Sequence, residues 1–171
     1  MTPHVEIRQA VLNDGPALSR LLAQLGYPGT QPFLERRIAQ LLSHPDALLL
    51  VAHEGNDVLG FISLHILPQL ALAGDFCRIS YLCVDEGMRS RGVGALLEQC
   101  AEQHARQSGC DRIELHSAWR RDAAHRFYAR VGYTESPKYL VKQLDAGRLP
   151  GSKTPGSGNQ AWGQPKPPSH R

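Results

Sequence analysis

The sequence has little of what marks a membrane protein or a disulfide-stabilised secreted protein. No apolar run approaches the length of a membrane span, and the N-terminus has no basic segment followed by a signal-like hydrophobic stretch. The four cysteines, Cys77, Cys83, Cys100 and Cys110, form no CxxC pair and have no zinc-like spacing. These absences predict a cytoplasmic protein with free thiols, no membrane association and no bound metal.

Acidic residues are also absent from the end of the chain. Residues 146–171 carry four cations and no acid, whereas the net charge of the whole 171-residue chain is only +3, so the preceding part is slightly negative. A body without a basic excess argues against a dedicated nucleic-acid binder. The terminal segment is rich in Pro, Gly and Ser and poor in apolar residues, which predicts a disordered tail at 146–171 after a single domain at 1–145.

The domain sequence alternates strand and helix patterns. Strand patterns occupy residues 4–12, 47–54, 58–67, 76–85, 112–118 and 138–144, and helix patterns occupy 15–27, 32–43, 95–107 and 121–133. Asp14 is expected to cap the first helix. The turn residues at 55–57 predict a hairpin, and helical connections late in the chain predict at least one parallel strand pair. The predicted class is therefore α/β with a mixed sheet.

The segment MRSRGVG, Met88–Gly94, lies between a strand pattern and a helix pattern. A helix start presents N–H groups and a positive dipole end to an anion, and Gly92 and Gly94 allow close backbone approach. Arg89 and Arg91 add cationic donors. The sequence contains neither GxxxxGK followed by Ser or Thr nor a complete GxGxxG. The loop predicts an anion site, although a glycine-rich turn with two solvated arginines is an alternative that the loop alone leaves open.

The wider context of this loop supports the anion site. Arg89-x-x-Gly92-x-Gly94, preceded by ISYLCV and followed by AHRFYARVGY, resembles the GNAT superfamily of acetyl-CoA-dependent N-acetyltransferases. The resemblance extends over residues 4–144 by element order and is specific over 78–133. It implies the GNAT acyl-CoA N-acyltransferase fold, in which helices flank a mixed, mostly antiparallel central sheet with splayed strands.

The resemblance also implies acetyl-CoA as cosubstrate. The loop amides would hold its pyrophosphate, and the strand before the loop would pair with its pantetheine arm through main-chain groups. Arg121 stands where many relatives have an asparagine that touches the cofactor arm, so it could reach the phosphates or simply be an exposed helix-start residue. The implied cofactor-binding residues are Leu82, Cys83, Val84, Arg89, Ser90, Arg91, Gly92, Val93, Gly94, Ala95 and Arg121.

For catalysis, the resemblance implies direct attack of a neutral amine on the acetyl thioester, with Tyr128 donating a proton to the leaving thiolate. The spacing of Ala124, Phe127, Tyr128 and Val131 also fits a core stripe, so a structural role for Tyr128 is the alternative.

No general base is evident from the sequence. Arg78 and Ser80 occupy positions where relatives often carry a carboxylate or histidine, and a period of two places them on one face. Arg78 could attract an anionic group of the substrate or be a solvated strand residue. His116 could be a base, a member of a water chain or a packed histidine, and Glu114 and Tyr81 are further candidates.

Three functions stay open at this point. The chain could acetylate a small-molecule amine, acetylate a protein N-terminus or lysine, or bind acyl-CoA without catalysis. No accessory peptide-binding domain or ribosome-docking basic patch is visible, which favours a small-molecule amine. Residues 25–40 would line the acceptor site, and a homodimer is an expectation at the family level.

Overall fold

The computed structural model describes residues 4–117, 121–136, 140 and 142. The chain forms two compact units, one ending at Leu115 and one beginning at His116. The predicted tail at 146–171 and most of the predicted closing strand at 138–144 lie outside the described residues. The described helices include none that is long and apolar enough to cross a membrane.

The observed elements follow the predicted order as far as the structure describes them. In chain order they are β1 (Glu6–Gln9), α1 (Gly15–Leu25), α2 (Gln31–Ser43), β2 (Ala47–Glu54), β3 (Asp57–Leu67), β4 (Asp75–Val84), α3 (Val93–Gln107), β5 (Cys110–Leu115) and α4 (Asp122–Arg130).

The first unit contains a five-stranded sheet in the order β1-β2-β3-β4-β5. The first four strands pair antiparallel, and β4 pairs parallel with β5, to which α3 connects it. A parallel pair needs such a crossover, because the chain must return to the starting edge of the sheet. The predicted α/β class, with a mixed and mostly antiparallel sheet flanked by helices, is confirmed.

Helices cover both faces of this sheet. The leucines of α1 recur at helical spacing and pack with α2 and the sheet in one cluster, which includes Leu18, Leu21, Leu22, Leu34, Ile38, Leu49, Val51, Phe61 and Cys83. On α3, the buried residues Val93, Leu97, Ala101 and Ala105 follow the same spacing. The end of β4 is thus supported by α1 through Cys83, whose Sγ lies 3.3 Å from the carbonyl oxygen of Leu21.

Asp14 precedes α1 as predicted, but its carboxylate does not cap that helix. It accepts two hydrogen bonds from Arg8, each 2.8 Å long, and a third of 2.8 Å from the N–H of Val11. The hydrogen bonds from Arg8 lower the pKa of Asp14, although burial acts in the opposite direction. The predicted first strand is also shorter than 4–12, because Leu12–Asp14 forms a 3-10 turn.

Candidate active site

The segment between β4 and α3 is fixed at its start by contacts to α1. The carboxylate of Asp85 accepts the N–H of Gly87 at 3.0 Å and pairs with the guanidinium of Arg20. The N–H of Glu86 donates to Oε1 of Gln24 at 3.1 Å. The hydrogen bond from Arg20 is the main cause of a lowered pKa at Asp85. These contacts to α1 therefore fix the position of residues 85–87 directly after β4.

The second half of this segment contains two residues in the left-handed region. Ser90 has φ +67° and Gly92 has φ +81°. The N–H of Leu96 donates to the carbonyl oxygen of Gly92 at 3.0 Å, in the first turn of α3. The N–H groups of residues 93–95 precede this bond and have no acceptor within the helix. Consecutive N–H groups after a left-handed residue form the kind of concavity that binds anions.

The two predicted cations lie on the same segment. Nη2 of Arg89 is 3.6 Å from Oε1 of Glu86, and Nη2 of Arg91 is 3.7 Å from Oε1 of Glu54 on β2. Nη1 of Arg91 also lies 2.9 Å from the sulfur of Met88. Both arginines are exposed, so their guanidinium groups can exchange these partners for a phosphate. The loop therefore has N–H and guanidinium donors that suit the diphosphate implied by the family resemblance.

The three predicted strand residues Leu82, Cys83 and Val84 lie at the end of β4, where the sheet opens. The parallel pairing with β5 ends at Ile79 and Leu115. From Ser80 to Val84, the described residues give β4 a strand neighbour on one side only, namely β3. Within the described residues, the main-chain groups at 80–84 on the side away from β3 therefore have no strand partner.

A β-bulge lies where the strands separate. Ser63 pairs with Tyr81 and Leu64 pairs with Ile79, so Ser80 is an extra residue on β4. A bulge interrupts the alternation of side chains between the two faces of a sheet. As a result, the consecutive residues Ser80 and Tyr81 both line the same cavity.

This cavity has a volume of about 590 Å³ and lies between the helix pair and the sheet. Its lining is mainly apolar and aromatic, with polar groups from α2 and the residues that flank it, and from β3 and β4. Among the described lining residues, Arg37 is the only arginine or lysine, and none is an aspartate or glutamate. The lining residues are Leu18, Leu22, Tyr27, Thr30, Phe33, Leu34, Arg37, Ile38, Gln40, Leu41, His44, Leu49, Phe61, Ser63, His65, Ser80 and Tyr81.

Two histidines that the sequence analysis did not single out line the cavity. Nδ1 of His65, on β3, is 3.1 Å from Oγ of Ser80. The ring of His44, at the end of α2, lies with its centroid 6.3 Å from that of His65. Burial lowers the pKa of His65, and the neighbouring His44 lowers it further. His65 stands in an apolar strand pattern, and only the bulge brings Ser80 to it.

The other candidates on β4 and β5 have defined partners. Nη2 of Arg78 is 2.5 Å from Oε1 of Glu114, and the Arg78 guanidinium lies 5.9 Å from the centroid of the Phe76 ring. Arg78 is opposite His65 in the strand register but does not line the cavity. Tyr81 does line it, and its ring meets that of Tyr27 edge to face at 5.5 Å.

The second unit contains the remaining predicted residues. Tyr128 is half-buried on α4, and its ring lies 5.2 Å from that of Phe127 and 5.5 Å from that of Tyr133. The N–H of Tyr133 donates to the carbonyl oxygen of Tyr128 at 2.9 Å, after a left-handed Gly132. Arg121 directly precedes α4 and is exposed, as is His116. No metal-binding group of three or more His, Cys, Asp or Glu residues occurs in the described part of the chain.

Comparisons with known proteins agree with these features. An aminoalkylphosphonate N-acetyltransferase of Salmonella typhimurium is 34% identical over 144 residues, which cover 83% of this chain and 93% of the relative. An aminoglycoside N(6')-acetyltransferase of Klebsiella aerogenes is 26% identical over 135 residues, covering 75% and 89% of the two chains. A solved aminoglycoside N-acetyltransferase in complex with CoA has the same fold, with a TM-score of 0.73, 16% identity and coverage of 84% and 96%.

The family comparison covers both units. The model of the acetyltransferase (GNAT) family matches residues 16–133, which is more than half of the chain. The match includes the loop between β4 and α3 and the helix that carries Tyr128. The resemblance predicted from the sequence is confirmed, and the chain belongs to the acetyltransferase (GNAT) family.

Proposed function

We propose that this chain transfers the acetyl group of acetyl-CoA to the primary amine of a small molecule that also carries an anionic group. The observation that carries the proposal is the cavity of about 590 Å³, which reaches β4 at Ser80 and Tyr81. That volume lies within the usual range for small-molecule sites, about 300–1,000 Å³. A cavity of this size favours a compact acceptor over a folded protein.

The loop after β4 is the proposed cofactor site. The amides of residues 89–95, together with Arg89 and Arg91, would hold the diphosphate, and the main chain at 82–84 would pair with the pantetheine arm. Arg121 is proposed to contact a phosphate. When bound, the cosubstrate supplies an activated acetyl thioester. The CoA complex of a protein with the same fold supports this assignment.

The charge of the cavity supports an anionic acceptor. Arg37 contributes a guanidinium, and the described lining has no carboxylate that would attract a second ammonium group. An aminoalkylphosphonate, the substrate class in the name of the Salmonella relative, carries one amine and one phosphonate. An aminoglycoside carries several ammonium groups, which this lining would repel. Arg78 is less suited to this role, because Glu114 already neutralises it.

The proposed reaction needs attack by the amine, a proton for the leaving sulfur and the loss of a proton from the attacking nitrogen. The neutral amine attacks the thioester carbonyl carbon, whose oxygen is polarised by a main-chain N–H of β4. The carbon–sulfur bond breaks, and Tyr128 gives its proton to the leaving sulfur. The attacking nitrogen loses one proton as it becomes an amide, and this proton restores the Tyr128 hydroxyl. The family match over α4 supports this role for Tyr128.

A thiol-release assay with acetyl-CoA tests the proposal. The acceptors are 2-aminoethylphosphonate, the uncharged analogue propylamine, an aminoglycoside and a lysine-containing peptide. We expect the highest kcat/KM with 2-aminoethylphosphonate. Faster release with the aminoglycoside or the peptide would contradict the anionic small-molecule acceptor. Tight acetyl-CoA binding without release for any acceptor would instead indicate a non-catalytic acyl-CoA-binding protein.

A further inference from the structure

We infer that His65, oriented by Ser80, accepts the proton that the acceptor amine must lose before it attacks. This inference rests on the proposed function and names the general base of that reaction. Three features carry it: the position of His65 in the cavity, its contact with Ser80, and the chemistry of the other groups around it.

The position of His65 places a base beside the proposed reaction site. Its Nδ1 is 3.1 Å from Oγ of Ser80, and Ser80 is the first β4 residue beyond the pairing with β5. Two residues further along β4 begins the segment proposed to hold the pantetheine arm. An amine in the cavity that approaches the proposed thioester site at residues 82–84 of β4 would therefore lie close to the His65–Ser80 pair.

The bulge is what creates this pair. Regular alternation back from Val84 would put Ser80 on the same face as Leu82 and Val84. The extra residue instead turns the Ser80 hydroxyl toward His65 on the cavity side of β3. A contact with Nδ1 fixes the orientation of the ring, which directs the other ring nitrogen, Nε2, away from Ser80.

The surroundings leave His65 as the suitable base. Besides His65, the titratable or charged residues that line the cavity are Tyr27 before α2, Arg37 on α2, His44 directly after α2, and Tyr81 on β4. Arg78 lies opposite His65 in the sheet and is paired with Glu114. Nδ1 of His44 accepts the N–H of Asp46 at 3.1 Å, so this nitrogen is occupied. The lowered pKa of His65 keeps its imidazole neutral at pH 7, as a proton acceptor must be.

The proton balance is simple. The acceptor arrives as an ammonium ion, and one proton passes from its nitrogen to the neutral imidazole of His65. The resulting amine lone pair forms the new carbon–nitrogen bond while the carbon–sulfur bond breaks. Tyr128 protonates the leaving sulfur, and the second proton, which the nitrogen loses as it becomes an amide, restores the Tyr128 hydroxyl. The imidazolium returns its proton to solvent, so that His65 is neutral for the next cycle.

The test compares the full-length chain with His65→Gln, using acetyl-CoA and 2-aminoethylphosphonate. We expect kcat to fall roughly 10²–10³-fold, the usual scale for loss of a positioned base, with little change in acetyl-CoA affinity. In the unmodified chain, kcat/KM should rise through the pKa of His65 and then level off. In His65→Gln it should rise about tenfold per pH unit up to the pKa of the amine, because only the neutral amine then reacts.

A second acceptor separates proton transfer from binding. Fluorination beside the amine in 2-amino-1,1-difluoroethylphosphonate lowers the pKa of the ammonium group, so a larger fraction is already neutral. The loss in His65→Gln should shrink to less than about tenfold with this acceptor, since general-base assistance is then worth little. An equal loss with both acceptors would show a packing or binding role and overturn the inference.

Matched variants complete the test. His53→Gln removes a β2 histidine outside the cavity, whose Nδ1 contacts the carbonyl oxygen of Gly55, and should leave kcat unchanged. Ser80→Ala keeps His65 but removes the hydroxyl group that orients its ring, so kcat should fall about tenfold. The rise of kcat/KM through the pKa of His65 should remain. Ser80→Ala also keeps the inference testable if His65→Gln does not fold.

One readout does not depend on turnover. NMR titration of the His65 ring in the free protein should give a midpoint below the ordinary 6.5 that matches the acid limb of kcat/KM. An active unmodified chain whose His65→Gln variant keeps its kcat and its pH profile overturns this inference alone. An unmodified chain that releases no thiol with any acceptor overturns the proposed function, and this inference with it.

Discussion

A side chain at Gly60 would collide with the carbonyl oxygen of Cys83. An ideal Cβ at Gly60 lies 2.8 Å from that oxygen and 3.3 Å from Cα of Val84. Because a backbone atom cannot swing aside, Gly60→Ala should displace the end of β4 and destabilise the fold by about 1–3 kcal/mol. We expect roughly tenfold weaker acetyl-CoA binding by calorimetry. Gly15→Ala, which meets only Ile38 at 3.9 Å, is the control, and equal affinities in both variants would contradict this role of β4.

A substitution at Gly92 tests the backbone conformation of the loop without adding a steric clash. At φ +81°, with nothing within 4 Å of an added Cβ, Gly92→Ala carries only the backbone penalty of about 1–2 kcal/mol. Gly109, at φ +72° just beyond the other end of α3, also has open space. Both alanine variants should lose similar thermal stability, but only Gly92→Ala should weaken acetyl-CoA binding, because it reorients the amides at 93–95. Equal binding losses would count against an anion site at the loop.

Arg37 is expected to select the anionic acceptor. Arg37→Gln should raise the KM for 2-aminoethylphosphonate about 10–100-fold, the scale of a lost charged hydrogen bond, and leave the KM for propylamine nearly unchanged. Arg36→Gln removes an adjacent exposed cation that does not line the cavity and serves as the control. Steady-state kinetics with both acceptors measures the difference. The same KM shift in both variants would indicate a general charge effect instead of a specific contact.

Tyr128→Phe tests the proposed proton donor. Phenylalanine keeps the ring contacts with Phe127 and Tyr133 and removes only the hydroxyl group. We expect a normal melting temperature and a roughly 10²–10³-fold lower kcat, the usual scale for a positioned acid. Tyr133→Phe, in the same aromatic cluster, should be nearly as active as the parent chain. If Tyr128→Phe keeps the kcat of the parent chain while the chemical step limits turnover, Tyr128 is not the proton donor and has a structural role.

The element order and the loop could be predicted because their signals are local. Helical spacing of leucines defines α1, and glycine and arginine positions define the turn before α3. The left-handed conformation of Gly92 is what a glycine at that position predicts, whereas the same conformation at Ser90 has no such local signal. The shorter β1 also escaped prediction, because apolar residues continue through Leu12 although both Val11 and Leu12 are about half exposed.

The cavity could be predicted only in part. Residues of the predicted segment 25–40 and Ser80 do line it, but its histidines could not be predicted, because its polar groups come from distant segments. His44 ends α2, His65 lies within an apolar stretch of β3, and Ser80 is a single residue between two hydrophobic neighbours. Asp14 failed as a predicted cap for a similar reason. Its carboxylate accepts hydrogen bonds from Arg8 instead of from the first N–H groups of α1. No rule of sequence spacing predicts this contact.

The extra residue in β4 also affects which changes of chain length this fold can tolerate. Cys77 and Ile79 are buried before it, while Tyr81 and Cys83 after it pack in the cluster with α1 and α2, to which Cys77 and Ile79 do not belong. Deleting Ser80 would make Ile79 and Tyr81 neighbours in a regular strand, which keeps them on opposite faces and preserves their pairing with Leu64 and Ser63. The fold should therefore tolerate the loss of residue 80, whereas the loss of any other single residue between Cys77 and Cys83 would turn one of the two pairs out of its layer.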